Sequence, residues 1–172
     1  MSQSGVITFK GNPMTLAGSD LSIGQAAPDF KLTYAHEGLQ TLTLADLKGK
    51  PSILSIVPSL DTPTCATQTK TFNEQLGKLG DKINAVTVSR DLPFAQARFC
   101  GAENVSMRTA SDYQTHEFGE AYGVEIEELK LLSRVVILLD SDGKVVYKQI
   151  VPEVTQEPDY DKALQALTDL VG

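Results

Sequence analysis

Residues 51–58, Pro-Ser-Ile-Leu-Ser-Ile-Val-Pro, constrain the fold more than any other stretch of this chain. The run is short, almost continuously apolar and closed by proline at both ends, so it reads as a strand with no polar face. Such a strand needs cover on both sides, which excludes a sheet with one face in water. Residues 82–89, "KINAVTVS", read as a second strand of the same kind. The β-branched runs 134–140 and 144–151, separated by Ser141-Asp142-Gly143, read as a hairpin.

Weaker strand signals precede these. "VITFKGNPMTLAG" predicts two short strands around a Gly-Asn-Pro turn, and Lys31–Tyr34 and Thr41–Leu44 flank a turn at Glu37-Gly38. Helical periodicity falls between the strands. From Cys65, the apolar residues Phe72, Leu76 and Leu79 follow at offsets of 7, 11 and 14, on one helical face. "DLPFAQARFC" carries Asp91 as a cap and Pro93 near the first helical position. Near the end, Tyr160, Leu164, Leu167 and Val171 share a face behind the acidic start Asp159 and Asp161. The order strand, helix, strand, helix, hairpin, helix is that of a thioredoxin-like α/β sandwich: a mixed central sheet flanked by helices, with an N-terminal β-hairpin. No linker or repeat interrupts it, so residues 1–172 are expected to form a single domain. The acidic segment "VEIEELK" reads as a solvated helix.

Charge narrows the partners. The net charge is −7 and no Lys/Arg cluster stands out, which argues against nucleic acid or an anionic membrane as partner. No apolar run approaches spanning length, and the N-terminus lacks the pattern of a secretory signal. The expected location is cytoplasmic, where lasting structural disulfides are rare. That gives weight to the two cysteines, Cys65 and Cys100.

Cys65 ends the loop "SLDTPTC" that follows the first buried strand. With Thr62 as helix N-cap, Pro63 takes the first helical position and Cys65 the third. Unpaired backbone N–H groups and the positive end of the helix favour an anion there, and the thiolate is the reactive form of cysteine. The carboxyl end of a buried strand is also where α/β sheets place their sites. Against this, free cysteine is among the most often buried residues, and Cys65 lies on the apolar face of its helix.

Pro58, Thr62 and Cys65 stand as P-x-x-x-T-x-x-C, which resembles the peroxidatic-cysteine signature of the peroxiredoxins. "APDF" at 27–30, "RFC" ending at Cys100, "LLSR" ending at Arg134 and "EPDYDKAL" resemble the bacterial thiol peroxidase subgroup, atypical two-cysteine peroxiredoxins. The resemblance implies a thiol-dependent peroxidase acting on hydrogen peroxide and organic hydroperoxides. Cys65 would be oxidised to a sulfenic acid, Cys100 would resolve it as an intramolecular disulfide, and thioredoxin would reduce that bond. Thr62 would hydrogen-bond peroxide and thiolate, Arg134 would stabilise the thiolate and the polarised O–O bond, and Pro58 would shield the site. The same resemblance implies a homodimer and neither metal nor organic cofactor. Turnover is expected to need local unwinding around both cysteines.

Other readings stand beside these. Cys100 reads equally as a helix-end core thiol, Thr62 as a plain cap for which Asp61 competes, and Arg134 as the start of an exposed strand. Phe94 and Phe99 read as packing residues. A protein-disulfide oxidoreductase would normally carry C-x-x-C, which Thr62-Pro63-Thr64-Cys65 lacks. A non-enzymatic peroxide sensor would share the first oxidation step. His36 and His116 form no recognisable ligand set with the cysteines.

Overall fold

Lys10 and Gly11 both adopt positive φ, 51° and 81°, the left-handed pair that a two-residue hairpin turn requires. The computed structural model describes residues 2–172. Around that turn β1 (Ser2–Phe9) and β2 (Asn12–Ala17) pair antiparallel, with Phe9 opposite Asn12. The turn therefore starts one residue before the expected Gly-Asn-Pro and shares only its glycine, and Asn12 and Pro13 already belong to β2.

The next hairpin, β3 (Lys31–Ala35) and β4 (Leu39–Thr43), turns at Glu37 and Gly38 as expected. β5 (Ser52–Ile56) is buried along its whole length and leads into α1 (Pro63–Leu76). Then follow β6 (Asn84–Ser89), α2 (Pro93–Glu103), β7 (Arg108–Ser111), α3 (Glu117–Ala121), and the short strands β8 (Glu125–Ile126) and β9 (Leu131–Leu132). β10 (Val135–Leu139), β11 (Val145–Ile150) and α4 (Tyr160–Val171) complete the chain. The main sheet runs β11-β10-β5-β6-β7-β3-β4. β5, β6 and β7 are parallel, while β10 is antiparallel to both β5 and β11. A second sheet, β1-β2-β8-β9, carries the N-terminal hairpin.

Both faces of the main sheet are covered, as the sequence of β5 demands. Ile53, Val136 and Leu138 pack under α1 and α4 through Phe72, Leu76, Ala163 and Leu167. Their sheet neighbours Leu54, Ile56, Val135 and Ile137 face the opposite cluster, with Phe118 and Tyr122 of the α3 region. α2 shares the α1 face: Cys100 meets Thr109, whose neighbour Ala110 lies in the opposite cluster. Asp159 caps α4 by accepting from the Lys162 N–H at 3.1 Å.

Two helix expectations need correction. "VEIEELK" opens a short hairpin, with β8 paired antiparallel to β9: Val124 and Ile126 are buried at period two, and Glu125 between them pairs with the buried Arg90 at 2.6 Å. α1 stops at Leu76, and Leu79 packs on the same cluster from the turn beyond it.

Candidate active site

β5 and β6 are parallel neighbours, so the loops that leave their carboxyl ends meet at one edge of the sheet. The β5 loop leads to Cys65 and the β6 loop to the helix that bears Cys100. Val135 pairs with Ile56, so Arg134 enters the same edge at the start of β10.

Thr62 is the N-cap of α1 by its backbone (φ −116°, ψ 147°) and Pro63 takes the first helical position; Asp61 does not displace it. The first intrahelical bond runs from the Ala66 N–H to the Thr62 carbonyl at 3.0 Å, so the N–H groups of Thr64 and Cys65 precede the ladder. The Thr62 hydroxyl donates to the Ser59 carbonyl at 2.8 Å. Its proton is thus turned toward the loop, and the expected bond to the sulfur is not made in this state. Pro58 is buried where β5 ends. Cys65 is fully buried, packed with Val57, Leu60 and Phe99.

Arg134 gives that buried sulfur a charged neighbour. The guanidinium is 2% exposed, and its Nη2 donates to the Cys65 Sγ at 3.3 Å. Nε donates to the Val154 carbonyl at 2.8 Å and Nη1 to Gln68 Oε1 at 2.9 Å. Gln68 in turn donates to Ser55 Oγ at 2.8 Å. Among the described residues the guanidinium donates to three groups, and of these only the thiol can ionise. Arg134 is therefore a buried strand-start cation and not the exposed residue of the alternative reading.

Two supports were missed from sequence. Gln68 lies three residues after Cys65, a polar side chain at an inward helical position, and that mismatch was its signal. The other support is Glu153. Its carboxylate accepts from Thr155 N (2.9 Å) and Oγ1 (2.6 Å), and from Thr8 Oγ1 (2.9 Å) and Gly11 N (2.8 Å) of the first hairpin. These bonds hold the carboxyl well below its ordinary value, at about 2, with Thr155 the largest cause. The loop it fixes supplies the Val154 carbonyl to Arg134 and the Thr155 carbonyl to the Thr64 hydroxyl at 3.1 Å.

Cys100 lies in the last turns of α2, half-buried, with its sulfur 3.7 Å from the Thr109 hydroxyl. Burial pushes its thiol up from the ordinary value, and the Thr109 bond offsets part of that rise. Both cysteines are free, and each sulfur faces a different partner. Phe99 packs against the Cys65 cluster as expected, but Phe94 is 63% exposed and packs against nothing that buries it. Asp91 does not cap α2, since Leu92 is the N-cap; its carboxylate turns to the Cys65 loop. No group of three or more His, Cys, Asp or Glu placed to hold a metal ion occurs among the described residues.

Known proteins carry the same arrangement of chain. The Redoxin family model matches residues 22–164. The thiol peroxidase of Bacillus subtilis is 51% identical over 166 residues, spanning 96% of this chain and 98% of that protein. The thiol peroxidase of Streptococcus gordonii is 46% identical over 164 residues, spanning 95% and 99%. Among solved structures, a peroxiredoxin-like protein from Aquifex aeolicus superposes with a TM-score of 0.89 at 39% identity, covering 98% of this chain and 99% of that one. The chain belongs to the Redoxin family, in its thiol peroxidase branch of the peroxiredoxins.

Proposed function

We propose that this protein is a thiol-dependent peroxidase that reduces hydrogen peroxide and organic hydroperoxides. The observation that carries the reading is the buried Arg134 guanidinium, whose one ionisable hydrogen-bond partner is Cys65 at the start of α1. A buried cation is costly to desolvate, and this one stands where negative charge develops as the Cys65 sulfur attacks.

Cys65 attacks one peroxide oxygen; the O–O bond breaks, the released alkoxide or hydroxide takes a proton, and a sulfenic acid remains. Negative charge spreads along sulfur, attacked oxygen and leaving oxygen. Arg134 and the Thr62 hydroxyl, once turned from Ser59, are the donors suited to stabilise it. Pro58 closes the loop against water. Cys100 then resolves the sulfenic acid as a Cys65–Cys100 disulfide, which thioredoxin reduces. As a thiol held above its usual range, Cys100 competes poorly for peroxide and waits for the sulfenic acid.

The chain works as one domain in the cytoplasm, as a homodimer. The exposed apolar pair Leu92 and Phe94 supports an interface. No helix among the described residues is long and apolar enough to cross a membrane.

Peroxide turnover coupled to thioredoxin, thioredoxin reductase and NADPH tests this reading. Sustained NADPH oxidation that needs hydroperoxide and disappears in Cys65→Ser is expected. Reduction of insulin disulfides without peroxide turnover would overturn it in favour of a protein-disulfide oxidoreductase.

A further inference from the structure

Formation of a Cys65–Cys100 disulfide needs the sulfurs at about 2.05 Å, yet one now faces Arg134 and the other Thr109. On the disulfide reading the two segments shift to bring the sulfurs together, and a single carboxylate is tied to both. Asp91 Oδ1 accepts from the Ser59 hydroxyl at 2.7 Å, and Oδ2 from the Leu60 N–H at 2.8 Å. Oδ2 also accepts from the Ser89 hydroxyl at 2.7 Å. Ser89 in turn accepts from Gln96 Nε2 at 2.9 Å, and Gln96 lies one helical turn before Cys100. The Asp91 carbonyl accepts from the Ser111 hydroxyl, so its backbone is anchored to β7. On the other side, the Ser59 carbonyl holds both the N–H and the hydroxyl of Thr62. The donors run in one direction, from α2 through Ser89 to Asp91. At Asp91 they meet the loop that presents Cys65.

Resting on the disulfide reading above, we propose that Asp91 is a positioning residue that latches the Cys65 loop to the start of α2. The closed latch favours attack on peroxide, and its opening limits resolution. In resolution the Cys100 sulfur attacks the Cys65 sulfenic sulfur. The S–S bond forms, the S–O bond breaks, and hydroxide leaves with the Cys100 proton as water. Cys65 is reduced from sulfenic acid to the disulfide level and Cys100 is oxidised to it. The latch is open in that product, so weakening it penalises the reduced arrangement alone.

Asp91→Asn keeps the shape but removes the charge from three hydrogen bonds. Loss of the charge weakens all three bonds, so effects of about tenfold or more are expected. The experiment is quench-flow mass spectrometry after one equivalent of hydrogen peroxide, with a sulfenic-acid trap to separate the two steps. Asp91→Asn is expected to slow oxidation of Cys65 by about tenfold and to speed disulfide formation by a similar factor. Ser59→Ala, which removes one partner from the loop side, is expected to shift both rates in the same directions by less. It decides the matter by the same criterion if Asp91→Asn does not fold. Merely structural damage slows both steps. Resolution that is unchanged or slower, with the disulfide forming normally in wild type, overturns the latch. Absence of a Cys65–Cys100 disulfide in wild type overturns the reading beneath it, and the latch with it.

Discussion

A guanidinium as buried as Arg134 costs several kcal/mol to desolvate unless its surroundings return that energy. No carboxylate pairs with it among the described residues; it donates to the Val154 carbonyl, the Gln68 amide oxygen and the Cys65 sulfur. Arg134→Gln is expected to lower the rate constant for Cys65 oxidation by about 10²–10³, the loss typical of removing one preorganised donor. Arg134→Lys should recover little of it, because an ammonium cannot hold Val154, Gln68 and Cys65 in one plane. Stopped-flow peroxide consumption reads both variants. Cys100 predicts a pH effect. With its thiol raised by burial, iodoacetamide should label Cys100 in folded Cys65→Ser more slowly than in the urea-unfolded chain. The gap should persist through neutral pH and narrow once pH passes the folded value. The same shift stabilises the reduced fold below the unfolded thiol value, about 8.5, and that contribution is lost as pH rises through the higher folded one. The cysteines, Thr62 and Arg134 were legible because each sits at a marked place: a helix start, a helix end, the head of a buried strand. Gln68 and Glu153 were not, since the contacts that tie them to the site and to the first hairpin reach 66 residues to Arg134 and 145 residues to Thr8.

At the scale of elements, the N-terminal hairpin does more than cover an edge of the fold. Through Glu153 it braces the loop at 151–155, whose carbonyls orient Arg134 and the first turn of α1. Glu153 is held at about 2, so its contribution is full above the unfolded carboxylate value, about 4.3, and is lost as pH falls toward the folded one. Urea midpoints of wild type and Glu153→Gln should therefore differ most above pH ~5 and converge toward pH ~2. The variant should also oxidise more slowly, through a loosened Arg134. Equal midpoints at neutral pH would contradict the brace. The strands of this region were legible from β-branched alternation, but the turn residues were not. Lys10-Gly11 takes the left-handed turn although Asn12-Pro13 carries the more familiar turn composition.

For the molecule as a whole, β5 did much to set the architecture, because a strand without a polar face requires helices on both sides. The less legible parts are short and of mixed composition. β7, α3, β8 and β9 have four, five, two and two residues, below the length at which periodicity separates strand from helix. Their places are set by tertiary partners, such as Arg90, which binds Asp112 and Glu125 in the interior. What this architecture achieves is the meeting, at one sheet edge, of a helix-start cysteine, a buried arginine and the helix of a second cysteine. The measurement that tests this most directly adds one equivalent of hydrogen peroxide to fully reduced protein and counts free thiols within seconds. Wild type, Cys65→Ser and Cys100→Ser are compared, with intact mass and non-reducing electrophoresis alongside. Wild type is expected to lose both thiols within a single chain, Cys100→Ser to stop at a sulfenic acid, and Cys65→Ser to keep its thiol. Survival of both thiols in wild type would mean that Cys65 is core and Arg134 only its neighbour.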